Sequence, residues 1–385
     1  GSEDAENIVA RGRALDFLSF LIQKKGMGSK VNMIYIDPPF FTKMKYEASL
    51  TSPDTGERIS VPAFEDVWSK GEEEYLKSLA EAFCAMREIL ADDGLIWVHI
   101  DWHMSQYIRI LLDEIFGSEN FVNEVVWQYK SGGSNTRHFA RKHDTILLYS
   151  KSRDYYFKPL KEKSYNRDLK PYRFSGVSEY EDEVGWYTLV NMRDVWNIDM
   201  VGRTSSERNG YATQKPEALL RRIVDSSCPE GGTCADFYAG SGTLAAVAGD
   251  MNRNFISCDA GELATEISIR RLFENGMSFD VMSCDKNVLA GDAVITEDAV
   301  DVREYIKGRD IDMWSLDYDY NGAFHRARKV FTRGKDGLEG VCRRGSGQMS
   351  MFEHTFEFGN SISLVFYDIS GNRSQNILYR KRSNN

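Results

Sequence analysis

Val31-Asn32-Met33-Ile34-Tyr35-Ile36-Asp37-Pro38-Pro39-Phe40 is the stretch on which the fold turns. A nearly unbroken apolar run from Val31 to Ile36 suits a strand covered on both faces, as in a parallel sheet. Pro38 and Pro39 lack the N–H a ladder needs, so the strand ends at Asp37. A carboxylate is thereby presented at the carboxyl end of a buried strand, the edge where open α/β sheets hold their ligands.

The same alternation runs outward from this point. A loop containing Pro53 and Gly56 is expected next. Tyr75, Leu79, Ala82, Phe83, Met86 and Leu90 recur at three- and four-residue spacing, which predicts an amphipathic helix over 72–90, stopped by Asp92-Asp93-Gly94. Strands are expected at 95–100, 233–237 and 255–258, and helices at 104–115, 216–225 and 243–251. Short apolar runs alternating with helical patterns define an α/β protein with a mostly parallel sheet. The composition changes near Asp285. The last hundred residues favour short strands such as 312–316 and 363–368, with a hairpin turn at Asp368-Ile369-Ser370-Gly371-Asn372, and read as a small appended domain.

With 385 residues, 42% of them hydrophobic, the chain is long and apolar enough for a large core, which excludes disorder as its main state. Its longest apolar runs fall far short of the roughly 18–20 residues that cross a bilayer, so a soluble protein is expected. Cys84, Cys228, Cys234, Cys258, Cys284 and Cys342 form no CxxC pair, which argues against structural zinc and disulfides and for a reducing, cytoplasmic setting. Gly1-Ser2 before the acidic Glu3-Asp4-Ala5-Glu6 reads as an expression scar rather than a signal peptide. The net charge of -10 alone disfavours nucleic acid. Its distribution reverses that impression: between Tyr129 and Arg173 twelve basic residues, from Lys130 to Arg173, face four acidic ones, interleaved with eight aromatics including Tyr129, Phe139, Tyr155 and Tyr172. Cations for phosphates beside flat faces for bases suit a nucleic-acid surface, and a solvated loop-rich surface is the plainer alternative. A second basic stretch, 326–344, is rich in glycine.

Two motifs carry chemistry. Asp236-Phe237-Tyr238-Ala239-Gly240-Ser241-Gly242-Thr243 joins a strand to a helix, where glycines admit a ligand to the backbone and the helix N-terminus favours its anionic group. Such a loop serves a tight turn, a nicotinamide cofactor or S-adenosylmethionine. Asp259, seventeen residues after Gly242, ends the next strand where a carboxylate accepts ribose hydroxyls, and Ala245 replaces the third glycine of a dinucleotide fingerprint. In Asp37-Pro38-Pro39-Phe40 the Asp37 carboxylate and the Pro38 carbonyl can each accept one N–H of an exocyclic base amine, while Phe40 offers a stacking face for a base taken out of its duplex. The plainer alternative is a strand-ending turn.

In combination these motifs resemble those of the β-class amino-methyltransferases of DNA. The catalytic Asp-Pro-Pro-aromatic motif comes first, the recognition region next, then Thr213-Gln214-Lys215-Pro216, and the donor loop last. Val98-His99-Ile100-Asp101, Phe116-Gly117, Asn123-Glu124-Val125-Val126-Trp127 and Arg141-Lys142-His143-Asp144 are similar to further family signatures, so the likeness covers about residues 8–275. It implies a doubly wound, Rossmann-like methyltransferase sheet in permuted motif order, divided as a catalytic half (1–119), a recognition insertion (120–205), a donor half (206–284) and a strand-rich C-terminal domain (285–385). It implies S-adenosylmethionine as cofactor, held by Asp236, Phe237, Tyr238, Gly240, Gly242, Thr243, Asp259, Thr213 and Lys215, with Lys215 facing the donor's carboxylate. Asp37, Pro38, Pro39 and Phe40 would be catalytic, and Lys130, Arg137, Arg141 and Lys142 would contact double-stranded DNA. Asp at the motif's first place implies adenine N6 as target. Cytosine N4, or a catalytically silent DNA-binding subunit, are the alternatives. Site-specific adenine methyltransferases, including type III modification subunits, are the relatives implied, with a restriction subunit and a second copy of the chain as partners and no membrane.

Some residues depart from the family pattern. Arg13 stands where an Asp normally binds the donor's adenine, and Asp16 is the candidate substitute. Tyr238 and Ala212 replace a common Phe and Pro, and Phe40 occupies a place that Tyr or Phe usually fills. His99 and Asp101 share one face of a strand by alternation and are expected to wall the site rather than act as an acid/base pair. His138 and His143 lack the companions of a metal site, and Asp317-Tyr318-Asp319-Tyr320-Asn321-Gly322 lacks calcium-loop spacing, so no metal is expected.

Overall fold

The computed structural model describes residues 7–42, 44–51, 58–66, 71–130, 136–202, 204–283, 294–295, 299–307, 309, 311–318, 329–334, 337–343, 361–368 and 373–379. In chain order the main body consists of β1 (Ile8–Arg11), α1 (Ala14–Gln23), β2 (Val31–Ile36), β3 (Lys45–Thr51), β4 (Arg58–Glu65), α2 (Glu72–Ile89), β5 (Leu90–Ile100), α3 (Ser105–Phe116), β6 (Phe121–Gln128), β7 (His143–Ser150), β8 (Lys161–Tyr165), β9 (Glu179–Glu181), β10 (Trp186–Asn191), β11 (Val195–Asn197), α4 (Glu217–Ser227), β12 (Thr233–Asp236), α5 (Thr243–Asp250), β13 (Asn254–Asp259), α6 (Glu262–Glu274) and β14 (Asp280–Ser283).

Nine of these strands form one sheet in the order β11-β6-β7-β5-β2-β12-β13-β1-β14. Its ladders are parallel except where β7 runs against β5 and β6. This is the α/β fold that the alternating pattern predicts, with helices on both faces. Strand alternation decides which core each side chain joins. Ile34 and Ile36 of β2 pack with Phe17, Leu18, Leu79, Phe83, Ile108 and Leu112 of α1 to α3. Met33 and Tyr35 point the other way, into the core made with Leu220, Val224, Leu244, Val247, Ile269 and Leu272 of α4 to α6.

Several elements differ from expectation. The segment expected to be a loop after the Asp-Pro-Pro motif contains two strands, β3 and β4, paired antiparallel from Lys45↔Glu65 to Thr51↔Arg58 with one register shift between Tyr46 and Glu47, while Pro53 and Gly56 lie outside the described residues. The period-2 pattern of Tyr46, Ala48 and Leu50 against Ile59 and Val61 is its signature, which Pro53 and Gly56 disguise. Strand β5 begins at Leu90, directly after α2, because Asp92-Asp93-Gly94 is carried in the strand rather than in a stop. The segment 120–205 contributes β6, β7 and β11 to the central sheet. Only the three-stranded sheet β8-β10-β9 within it stands apart.

The C-terminal region is strand-rich, as expected. Ile311–Asp317, Lys329–Thr332, Ser361–Asp368 and Arg373–Tyr379 make a four-stranded antiparallel sheet, and Val294–Ile295, Ala299–Asp301 and Val341–Arg343 a three-stranded one. Met313, Val365 and Tyr367 join the core of the α4–α6 face, so this region is packed on the main body. Residues 1–6 and 369–372, most of the Asp317–Gly322 turn, and residues 326–328, 335–336 and 344 of the basic stretch lie outside the described residues. Among the described residues no helix is long and apolar enough to cross a membrane, and no group of three or more His, Cys, Asp and Glu could hold a metal.

Glu266 of α6 is buried against this C-terminal sheet, near Asp312 and Arg270, and Arg270 is ion-paired to Asp312. Burial pushes the Glu266 carboxyl well up, and the Asp312 charge adds to this against the pull of Arg270. The native state therefore holds the Glu266 proton more tightly than the unfolded chain does, and stability falls as pH rises above the ordinary glutamate range. Glu266→Gln, which mimics the protonated form, is expected to raise Tm by about 2–4 °C at pH 8.5 and to flatten the decline between pH 5 and 9, as followed by calorimetric melts.

Candidate active site

A cavity of about 480 Å³ opens at the carboxyl edge of the sheet, where β2 and β12 lie side by side. Strand β2 leads through α2 to β5 on one side, and β12 leads through α5 to β13 on the other. This is the divergence that leaves a crevice in open α/β sheets. Asp37, Pro38, Pro39 and Phe40 line it from one side, and Asp236, Phe237, Tyr238, Gly240, Thr243 and Asp259 from the other, with Thr213 and Lys215 between.

The donor loop is shaped by backbone geometry. Gly240 and Gly242 take positive φ of 50° and 69°. A Cβ on Gly242 would lie 2.7 Å from Ser268 Oγ and 3.1 Å from Ser268 Cα, so only glycine fits between the loop and α6. At Gly240 a Cβ would come 3.1 Å from the Tyr211 ring, which leaves the loop's backbone open to the cavity. Asp259 draws the loop closed: the Gly240 N–H donates to its Oδ2 at 2.8 Å and the Gly261 N–H to its Oδ1 at 2.7 Å. Burial raises the Asp259 carboxyl despite these bonds. Asp236 accepts the Tyr238 N–H at 2.9 Å and is raised further, by burial first and then by the neighbouring Asp37 and Asp259 charges.

The Asp-Pro-Pro-Phe turn is pinned from outside. Tyr75 of α2 donates to the Pro39 carbonyl at 2.7 Å, and burial together with the Asp66 charge pushes this phenol far above its ordinary range. Phe41 takes a left-handed φ of 59°, unusual for a bulky residue, with its ring against Tyr75 at 5.5 Å. The Asp37 carboxylate is divided in its company: Oδ2 meets the Lys215 ammonium, whereas Oδ1 is buried and accepts no hydrogen bond from the described residues. Lys215 also lies 5.6 Å from the centre of the Phe40 ring. Lys215, assigned by resemblance to the donor's carboxylate, thus meets the Asp-Pro-Pro-Phe turn with its ammonium, while its backbone carbonyl accepts the Thr243 hydroxyl of the donor loop at 3.3 Å.

The structure brings together every catalytic and cofactor residue named from the sequence except Gly242, which shapes the loop from behind the cavity wall. The four residues suggested for DNA lie outside the cavity. Lys130 faces Asp199 at 3.9 Å, Arg141 stacks 3.7 Å over the Trp102 ring, and Arg137 and Lys142 sit in the loop that enters β7. Arg13 lines the cavity, with Ala14 and Leu15, while Asp16 is exposed and absent from its wall. His99 and Asp101 do not share a face: β5 ends at Ile100, and Asp101 turns to His103 at 2.6 Å, whereas His99 is fully buried on Asp144 at 3.1 Å.

Sequence reasoning missed Tyr211, Tyr46, Thr42 and Asp66. Asp66, at the end of the hairpin, accepts from the Thr42 N–H at 2.6 Å and its hydroxyl at 2.8 Å, which closes the cavity's outer wall. Tyr211, two residues before Thr213, carried a signal as the aromatic preceding the Thr-Gln-Lys-Pro element.

Comparison with known proteins places this arrangement. The family model described as DNA methylase, covering N6 and N4 methyltransferases, matches residues 31–270, and the chain belongs to that family. It is 28% identical over 304 residues to the type II methyltransferase M.EcaI of Enterobacter cloacae, covering 63% of this chain and 65% of that one. Against the type II methyltransferase M.HpaI of Haemophilus parainfluenzae it is 29% identical over 192 residues, 50% of this chain and 57% of the relative. A type III relative also matches, the EcoP15I Mod subunit of Escherichia coli, at 26% over 166 residues, 40% of this chain and 25% of that subunit. The chain thus spans less than two thirds of the length of these relatives.

Gly242→Ala forces an L-residue into left-handed backbone against Ser268. It is expected to cost about 1–3 kcal/mol of stability, read as a lowered denaturant midpoint with unchanged slope.

Proposed function

We propose that this chain transfers the methyl group of S-adenosylmethionine to N6 of an adenine flipped out of double-stranded DNA. The observation that carries this reading is Asp37 Oδ1, a buried carboxylate oxygen without a hydrogen-bond partner among the described residues, in the cavity that also holds the glycine loop and Asp259. A buried acceptor left unmet is costly, and a site pays that cost where a ligand's donor completes it.

The residues fit the proposed donor. Gly240, at positive φ, places loop backbone in the cavity wall while Gly242 lets the loop pack on α6 behind it, Asp259 offers remaining lone pairs to ribose hydroxyls, and Phe237 to Gly240 and Thr243 form the wall. Thr213 and Lys215 supply polar and cationic groups for a carboxylate end. When bound, S-adenosylmethionine supplies a methyl group made electrophilic by its sulfonium sulfur.

The chain's own residues do the rest. Asp37 Oδ1 accepts one N–H of the base amine and the Pro38 carbonyl the other, which localises the nitrogen lone pair and aims it into the cavity. Phe40 stacks on the extruded base, whose amine is unreachable within a duplex. Phe139, almost wholly exposed in the loop before β7, and the basic residues around it suit the DNA backbone beside the cavity. Similarity to type II enzymes and to a Mod subunit supports a restriction-modification setting.

Incubation with labelled S-adenosylmethionine and unmethylated genomic DNA, followed by digestion to nucleosides, tests the reading. Label is expected in N6-methyladenine. Label in N4-methylcytosine would replace the target, and donor binding without incorporation would favour a silent DNA-binding subunit. Asp37→Ala is expected to lower transfer at least about 10³-fold, with donor affinity by calorimetry within about threefold of wild type. Loss of both together would show that Asp37 holds the donor or the fold.

A further inference from the structure

His99 is a fully buried histidine held on a carboxylate next to the proposed reacting atoms, and the mechanism above leaves it without a task. Its Nε2 lies 3.1 Å from Asp144 Oδ2 and its Nδ1 2.9 Å from the Tyr35 hydroxyl. Tyr129 donates to the other Asp144 oxygen at 3.1 Å. Burial pushes the Asp144 carboxyl up, but the His99 hydrogen bond, the Lys215 charge and the Tyr129 hydroxyl outweigh it and hold it below the usual range. Tyr35 is pushed well above the phenol range by burial and the nearby carboxylates, so it stays protonated and donates.

For the neutral imidazole these partners select one tautomer. An ionised Asp144 accepts only, so Nε2 carries the hydrogen. Tyr35 donates, so Nδ1 carries a lone pair. That lone pair lies 4.0 Å from Asp37 Oδ1, the oxygen without a partner. The edge of Trp127, with ring centres 5.3 Å apart, and the ring of Phe40, at 5.9 Å, exclude water from the imidazole. The titratable and charged groups facing it are Tyr35 and Asp37 from β2 and its turn, Asp144 from β7 with Tyr129 behind it, and Lys215 across Asp37 from before α4.

We propose that His99 takes up the proton released by methylation, working through Asp37. This rests on the methyl-transfer reading above. As the bond from nitrogen to the methyl carbon forms and the sulfur–methyl bond breaks with its electron pair left on sulfur, the nitrogen gives one proton to Asp37 Oδ1. Asp37 passes it to His99 Nδ1 while the Tyr35 hydroxyl turns from donor to acceptor. The single positive charge that left sulfur ends on an imidazolium clamped between Asp144 and Asp37. His99 is thus a positioning and proton-accepting residue that touches neither base nor donor, and its two-carboxylate clamp explains why a histidine is buried here at all.

The test is the single-turnover rate of labelled methyl transfer to unmethylated genomic DNA, from pH 5 to 9, with donor affinity and Tm measured beside it. Wild type is expected to lose rate on the acid side as Nδ1 becomes occupied before the reaction. His99→Gln, which keeps a donor for Asp144 and an acceptor for Tyr35 without basicity, is expected to lower the plateau about 10²-fold or more, abolish that acid limb, and leave donor affinity within about threefold. Asp144→Asn, which removes the charge behind the imidazole, moves the acid limb to lower pH and serves if His99→Gln fails to fold. A folded His99→Gln with wild-type rate and pH profile, or an acid limb unmoved in Asp144→Asn, overturns the relay while methyl transfer stands. Absence of any transfer by wild type overturns the underlying reading, and the relay with it.

Discussion

Parallel pairing of β2 with β12 is the constraint from which the site follows. Two registered pairs, Met33 with Cys234 and Ile34 with Ala235, bring together segments two hundred residues apart and end both strands at the same edge. One strand then delivers Asp37 and the other Asp236 to a single crevice. Both strands are covered on both faces, so a slip of one residue would exchange the two cores and expose the side chains of each. The position of the chemistry is thus tied to the burial that stabilises the fold.

The edge so formed concentrates acid. Asp37, Asp236 and Asp259 line one cavity, and Asp144 lies just behind it. Burial works against the charged form of Asp236, Asp259 and Asp144. Backbone N–H groups of the donor loop offset the cost for Asp236 and Asp259, and His99 and Tyr129 do so for Asp144. Asp37 keeps a buried oxygen without a hydrogen-bond partner among the described residues, with the Lys215 ammonium on the other. An acceptor poised in this way is stable only because its turn is clamped by Tyr75 and by two prolines.

Charge is segregated elsewhere in the molecule. The basic, aromatic segment does not form an independent unit, since its first and last strands extend the central sheet and only β8, β9 and β10 stand apart. Phe139 and its basic neighbours consequently project from a loop anchored in the sheet that carries Asp144 and packs beside Asp37. The C-terminal strands share the core of the α4–α6 face, and their junction through Arg270, Asp312 and Glu266 is buried.

Much of this was legible in the chain alone. Apolar runs ending in Asp37 and Asp236, helical spacing between them and the glycines at 240 and 242 depend on local rules of strands, turns and helices, so the α/β class and the two motifs could be read directly. Pro53 and Gly56 concealed the β3–β4 hairpin because a turn and a loop look alike until the partner strand is known. His99 and Asp101 looked like companions because alternation assumes a strand that continues, and β5 stops between them. Asp66 and Thr42 reached the cavity without a local pattern. The sequence by itself determined which residues could do the chemistry and the elements that bear them. Only the tertiary structure decided that Lys215 meets Asp37, and that Asp144 rather than Asp101 holds His99, because such contacts arise from strand order and side-chain direction across the sheet, which spacing along a chain does not encode.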